Sequence, residues 1–67
     1  MEAYKITYGR KNPSSHLYNM TIYYRDEETG DVESELYCDM KWRDVNHYIA
    51  SVRRDVGGEL TIVNLDK

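Results

Sequence analysis

Only one stretch of this chain has the periodicity of an amphipathic helix. Trp42, Val45, Ile49, Val52 and Val56 recur at spacings of three, four, three and four residues, which winds them onto one side of an α-helix. The other side carries Arg43, Asn46, His47, Arg54 and Asp55. A lone helix with a single apolar stripe must lay that stripe on something, and the remaining periodic segments alternate with period two. The expectation is therefore an α+β fold, a small antiparallel sheet in the order β-β-β-α-β with one helix packed across one face. With 67 residues there is material for one core, so residues 1–67 are read as a single domain. A chain this short buries only about 60% of its unfolded surface, which makes a partner or a second copy a natural source of further stability.

The strands follow from alternation. Residues 3–8 place Tyr4, Ile6 and Tyr8 on one face and Lys5 and Thr7 on the other. Residues 9–16, with Pro13 among short polar and basic residues, form a basic loop. Residues 17–26 form the second strand, and Glu28-Thr29-Gly30 reads as a three-residue hairpin connection with Gly30 left-handed. That turn pairs residues whose numbers sum to 58. Met20 then faces Cys38, Ile22 faces Leu36 and Tyr24 faces Ser34 on the inner side. Thr21 faces Tyr37, Tyr23 faces Glu35 and Arg25 faces Glu33 on the outer side. Asp39 is expected to cap the helix. Arg53 and Arg54 complement its C-terminal dipole, and Gly57-Gly58 ends it with one glycine left-handed. Residues 59–65 form the last strand. The expected core is Tyr4, Ile6, Met20, Ile22, Leu36, Cys38, Trp42, Val45, Ile49, Val52, Leu60 and Ile62.

Catalytic chemistry has little to work with. His16 and His47 lie thirty-one positions apart, and Cys38 is the single cysteine, so no zinc-ligand spacing occurs and no intramolecular disulfide can form. The expected burial of Cys38 makes it a small hydrophobe, and Ser14 and Ser15 read as turn residues beside Pro13. Glu33 and Glu35 sit on a convex hairpin without the water-excluding cleft that acid–base catalysis needs. Gly57-Gly58 follows a helix and does not open one, so no phosphate cradle is formed. The reading is a non-enzyme without metal or cofactor. Met1 to Lys5 lacks the basic and apolar regions of a signal peptide, and no apolar run reaches membrane-spanning length. The expected location is the cytoplasm, with no membrane contact.

Charge is where the chain is distinctive. Seven of its twelve acidic residues, Asp26, Glu27, Glu28, Asp31, Glu33, Glu35 and Asp39, fall within positions 26–39, and no Lys or Arg interrupts them. Residues 1–25 carry +3, residues 26–39 carry −7 and residues 40–67 carry +1, so the net charge of −3 conceals a strong local field. Aromatic residues are seven Tyr and one Trp with no Phe; Tyr suits half-exposed strands and binding surfaces alike. An acidic run of this kind keeps an exposed hairpin soluble and guards its edge. It also offers a complementary surface to a basic partner.

The functional expectation is a small protein-binding inhibitor or adaptor. Its partner-binding residues are Tyr23, Glu33, Glu35 and Tyr37 on the sheet and Asp26, Glu27, Glu28 and Asp31 at the hairpin tip. The partner is expected to be a protein, with a nucleic-acid-binding protein as the fitting class. In its small size, single cysteine and lack of catalytic residues, the chain is similar to anti-defence proteins of phages and mobile elements, of the anti-CRISPR type. The alternative is nucleic-acid binding: a sheet backed by one helix resembles integrase arm-type DNA-binding domains, and Lys5, Thr7, Tyr23, Arg25 and Tyr37 would line the exposed face, with Arg10 and Lys11 nearby. Glu33 and Glu35 on that same face oppose phosphate. Self-association as a homodimer through Tyr4, Tyr8 and Leu65 is compatible with either reading.

Overall fold

The apolar stripe forms a single helix, α1 (Trp42–Asp55), in a computed structural model that describes residues 1–66. It packs on a four-stranded sheet built from β1 (Glu2–Arg10), β2 (Tyr18–Arg25), β3 (Val32–Met40) and β4 (Thr61–Asn64). The α+β class and the order β-β-β-α-β are as the sequence predicts. The sheet is mixed, however, with strand order β3-β2-β1-β4 and β4 parallel to β1. The helix is the cause. It carries the chain back past the sheet, so the strand after it starts in the same direction as β3, which is also the direction of β1. The end of β4 is fastened to β1: Leu65 N–H donates to the Tyr8 carbonyl at 2.8 Å, and the Asp66 carboxylate accepts from Arg10 N–H at 3.1 Å. Gly9 permits this approach, since a Cβ there would stand 3.2 Å from the Leu65 Cβ.

The hairpin between β2 and β3 departs from the expected register by one residue. Gly30 is left-handed as predicted, with φ 78°. The loop, though, holds four residues, Glu27 to Gly30: Asp26 N–H donates to the Asp31 carbonyl and Gly30 N–H to the Asp26 carbonyl, at 2.9 and 2.8 Å. Asp26 sets that length. Its carboxylate accepts from Glu28 N–H at 2.9 Å and Thr29 N–H at 3.3 Å, closing an Asx turn one residue earlier than the glycine alone suggests. Met20 therefore faces Tyr37, Ile22 faces Glu35, Tyr23 faces Ser34 and Tyr24 faces Glu33. The sum of 58 holds only at Tyr18 and Met40, beyond a bulge where Cys38 and Asp39 together oppose Asn19.

A one-residue slip exchanges the faces of a strand, and the core changes accordingly. Ala3, Ile6, Met20, Ile22, Met40, Val45 and Val56 are buried together, with Ile49, Val52, Leu60 and Tyr8, Tyr18, Tyr24 and Tyr37 packed against them. Leu36 and Cys38, expected inside, are exposed, Leu36 to 65%. Tyr4 also leaves the core. A bulge between Ala3 and Lys5 turns it to the open face, where its ring lies 6.3 Å from that of Tyr23. Trp42 is 44% exposed because it is the first residue of α1, at the rim of the sheet.

Both expected helix caps are replaced. Asp39 does not cap α1; it occupies the left-handed region at φ 56° in the bulge and pairs with Lys11 at 2.8 Å. Lys41 holds the N-cap position without a side-chain hydrogen bond. At the other end neither Gly57 nor Gly58 is left-handed. The helix ends on Val56, which turns extended and buries its side chain.

The turn chemistry makes a prediction. Asp26→Ala removes the acceptor of two turn amides and is expected to cost about 1 kcal/mol, as a lost N-cap does. Gly30→Ala, with open space around the added Cβ, is expected to cost about 1–2 kcal/mol from backbone conformation alone. Urea unfolding of the two variants measures both. A silent Asp26→Ala would mean that the carboxylate does not set the loop.

Candidate functional site

β3 is an edge strand, and every residue from Val32 to Met40 except Tyr37 and Met40 is exposed. Because the register slips, Glu33 and Glu35 lie on the side of the sheet that carries the helix, opposite Tyr24 and Ile22. Glu27 and Glu28 are exposed at the tip and Asp31 beside it, whereas Asp26 is half-buried and occupied by the turn. Among the described residues the only ion pair is Lys11–Asp39. None of the other six acids of the run makes an ion pair among the described residues, although Arg25 borders the same shallow hollow as Glu27 and Glu28, so the run as a whole remains strongly negative.

Tyr37 closes this strip. Its hydroxyl donates to Glu35 Oε2 at 2.7 Å, and its ring lies 5.2 Å from that of Tyr48 on α1. The hydrogen bond to Glu35 stabilises the protonated phenol, and with partial burial and the Glu35 charge it pushes the Tyr37 pKa up to about 12. Tyr24 is raised too, by burial first and then by the Glu35 charge. Raised phenol values mean that this stability is intact below pH 10 and fades as pH rises from 10 toward about 12, where the unfolded chain ionises first. In a phenolate absorbance titration Tyr37→Phe is expected to remove the group ionising near pH 12, and Glu35→Gln to return it toward 10. An unchanged titration of Glu35→Gln would rule out the carboxylate as the cause.

The surface predicted from sequence is thus divided between two faces. Glu33, Glu35 and Tyr37 share one side with Tyr24 and Tyr48, which sequence reasoning did not select; Tyr48 stands off the apolar stripe, and Tyr24 looked like a strand residue among others. Tyr23 lies on the opposite, uncovered face. There Lys5 Nζ sits 5.6 Å from the centre of the Tyr23 ring and the Arg25 guanidinium 4.4 Å from that of Tyr4, in cation–π contact. The exposed side chains of Val32 and Leu36 border this face.

The far end of β2 carries an aromatic cluster. Tyr8, Tyr18 and Trp42 stack there with ring centres 5.2–6.5 Å apart. With Arg10 at the end of β1, Lys11, Asn12 and Pro13 of the loop, and Asp66, they line an open concavity of about 820 Å³. The Asp39 carboxylate raises the Lys11 pKa by hydrogen bonding and by charge. Among the described residues no three His, Cys, Asp or Glu side chains converge as metal ligands, and no helix is long and apolar enough to cross a membrane. Comparison with protein-family models, curated proteins and solved structures finds no match to this chain.

Proposed function

We propose that the chain is a non-catalytic binding protein, an inhibitor or adaptor, whose acidic strip docks on a basic surface of a cytoplasmic protein. Glu27, Glu28 and Asp31 at the tip and Glu33 and Glu35 on β3 carry the interaction, with Tyr37 holding Glu35 in place. Asp26 serves the turn, and Tyr23 belongs to the other face. The observation behind this reading is the exposed edge strand and turn, whose acids other than Asp39 make no ion pair among the described residues. Isolated surface charges do little for stability, but a cluster of one sign steers a complementary partner and raises its association rate.

A nucleic-acid-binding protein is the fitting partner class, since its Lys and Arg are arrayed to meet a row of anions. An extended strand presents side chains on one face about every 6.6–6.8 Å, so Glu33 and Glu35 offer such a row. Inhibition of a nucleic-acid-handling defence enzyme, in the anti-CRISPR manner, is the narrowest form of the proposal. Capture from nuclease-treated bacterial lysate, parent against a Glu27→Lys/Glu28→Lys/Glu33→Lys variant, tests it. One stoichiometric protein with a basic surface should be held by the parent, lost from the variant and released by about 1 M salt, where screening acts within about 3 Å. Equal retention by the variant would remove the acidic strip from the mechanism.

One observation favours a second reading. With Glu33 and Glu35 on the other side of the sheet, the open face keeps Lys5 and Arg25 over tyrosine rings without those two carboxylates beside them. Nucleic acid retained from untreated lysate, and lost on Arg25→Gln, would put sheet-face binding first.

A further inference from the structure

We infer that β3 receives its partner as an added β-strand, and that the added segment alternates basic with apolar side chains. The inference rests on the acidic-strip reading and specifies how that strip is used. β3 pairs with β2 along one side only, and its other side borders no strand. An uncovered edge of this length is a template for strand addition. The usable stretch ends where the bulge at Cys38 and Asp39 breaks the regular pairing, leaving Val32 to Tyr37.

The side chains of that stretch dictate the chemistry of the newcomer. Glu33 and Glu35 project to the helix side, while Val32, Ser34 and Leu36 project to the open side. Val32 is 51% and Leu36 65% exposed, so apolar area stands uncovered beside the acids but on the reverse face. Side chains on neighbouring strands meet on the same face. An added strand must therefore set cations beside Glu33 and Glu35 and apolar groups beside Val32 and Leu36, in strict alternation. A basic helix or a basic loop could satisfy the charges but not both faces at once.

A second copy of this chain is the wrong occupant. Antiparallel self-pairing centred on Ser34 sets Glu33 against Glu35 of the second copy, and pairing centred on Glu35 sets that residue against itself. Like charges directly opposite are destabilising, and neither Glu33 nor Glu35 makes an ion pair among the described residues. The same acids that block self-pairing attract a basic strand, so one feature supplies both rejection and selection.

The test uses the whole chain and three labelled synthetic peptides long enough to span Val32–Tyr37. One alternates lysine and valine, one has the same composition with lysines and valines in separate blocks, and one is the alternating peptide with N-methylated amides along one edge. Fluorescence anisotropy is expected to show the alternating peptide binding at least about tenfold tighter than the other two, since backbone hydrogen bonding and both faces contribute only there. Amide hydrogen exchange should slow at Val32–Tyr37 when it binds. Glu33→Lys should abolish the preference. Equal binding of all three peptides would overturn strand addition while leaving the acidic strip in use as a charged surface. Absence of binding by any of them would overturn strand addition outright, and the lysate capture would then decide the acidic-strip reading separately.

Discussion

Ile22→Ala is expected to leave the chain largely unfolded at room temperature, whereas Leu36→Ala should be nearly silent. Ile22 is 1% exposed in a central strand, paired with Ile6 on one side and Glu35 on the other. Truncating a buried isoleucine to alanine costs about 2–5 kcal/mol in lost transfer energy and cavity. A single core of this size rarely supplies more than about 3–5 kcal/mol in total, so one such loss consumes most of it. Leu36, although it is the larger apolar residue of β3 after Tyr37 and Met40, stands 65% exposed, and surface substitutions usually stay within about 0.5 kcal/mol. The expected register with Ile22 facing Leu36 would make the two variants comparably damaging. Urea unfolding of both therefore measures the register itself: comparable losses would refute the one-residue slip.

Charge reversal on the acidic strip should have the largest functional effect. In the Glu27→Lys/Glu28→Lys/Glu33→Lys variant three exposed carboxylates that make no ion pair among the described residues become cations. Like charges brought together at an interface cost several kcal/mol, and each 1.4 kcal/mol is tenfold in Kd. Affinity for a basic partner should fall by about a thousandfold or more, and the association rate should fall with it. The melting temperature should hardly move, because no side chain of the three serves the turn or the core; Glu28 serves the turn through its backbone N–H, which the substitution keeps. Glu35 is left intact in this variant since it accepts the Tyr37 hydroxyl. A variant that retained its affinity, measured by calorimetry on the purified partner, would show that the strip is only a solvated surface.

The helix was plain in the sequence because five apolar residues at helical spacing leave no other geometry. The three-strand run before it was plain for the same reason, in alternation of period two. Pairing was harder. Register hung on whether the loop held three residues or four, and Gly30 satisfies both. The deciding group was Asp26, whose side chain captures two turn amides; read only as a charge, it said nothing about loop length. The bulges at Tyr4 and at Cys38–Asp39 were equally silent, because each inserts one residue without a glycine to mark it. The consequence for the site is direct. The expected register sets Glu33, Glu35 and Tyr37 on the face that Tyr23 occupies, and the slip moves all three to the helix side. The parallel placement of β4 followed from the path of the chain past the sheet, which local periodicity does not contain.

β2 joins an acidic turn at Asp26–Asp31 to an end where Lys11 pairs with Asp39 and Arg10 lies beside Asp66, so negative charge gathers at one end of a molecule 42 Å long and about half as wide. Such a body is an electrical lever. A polyanion turns the acidic tip away from it, while a cationic surface draws that tip in, so the partner's sign selects which end arrives first. The torque acts within about a Debye length, about 8 Å at physiological salt, before any side chain touches. Orientation is then settled during approach, and only the end that arrives first has the chance to form contacts.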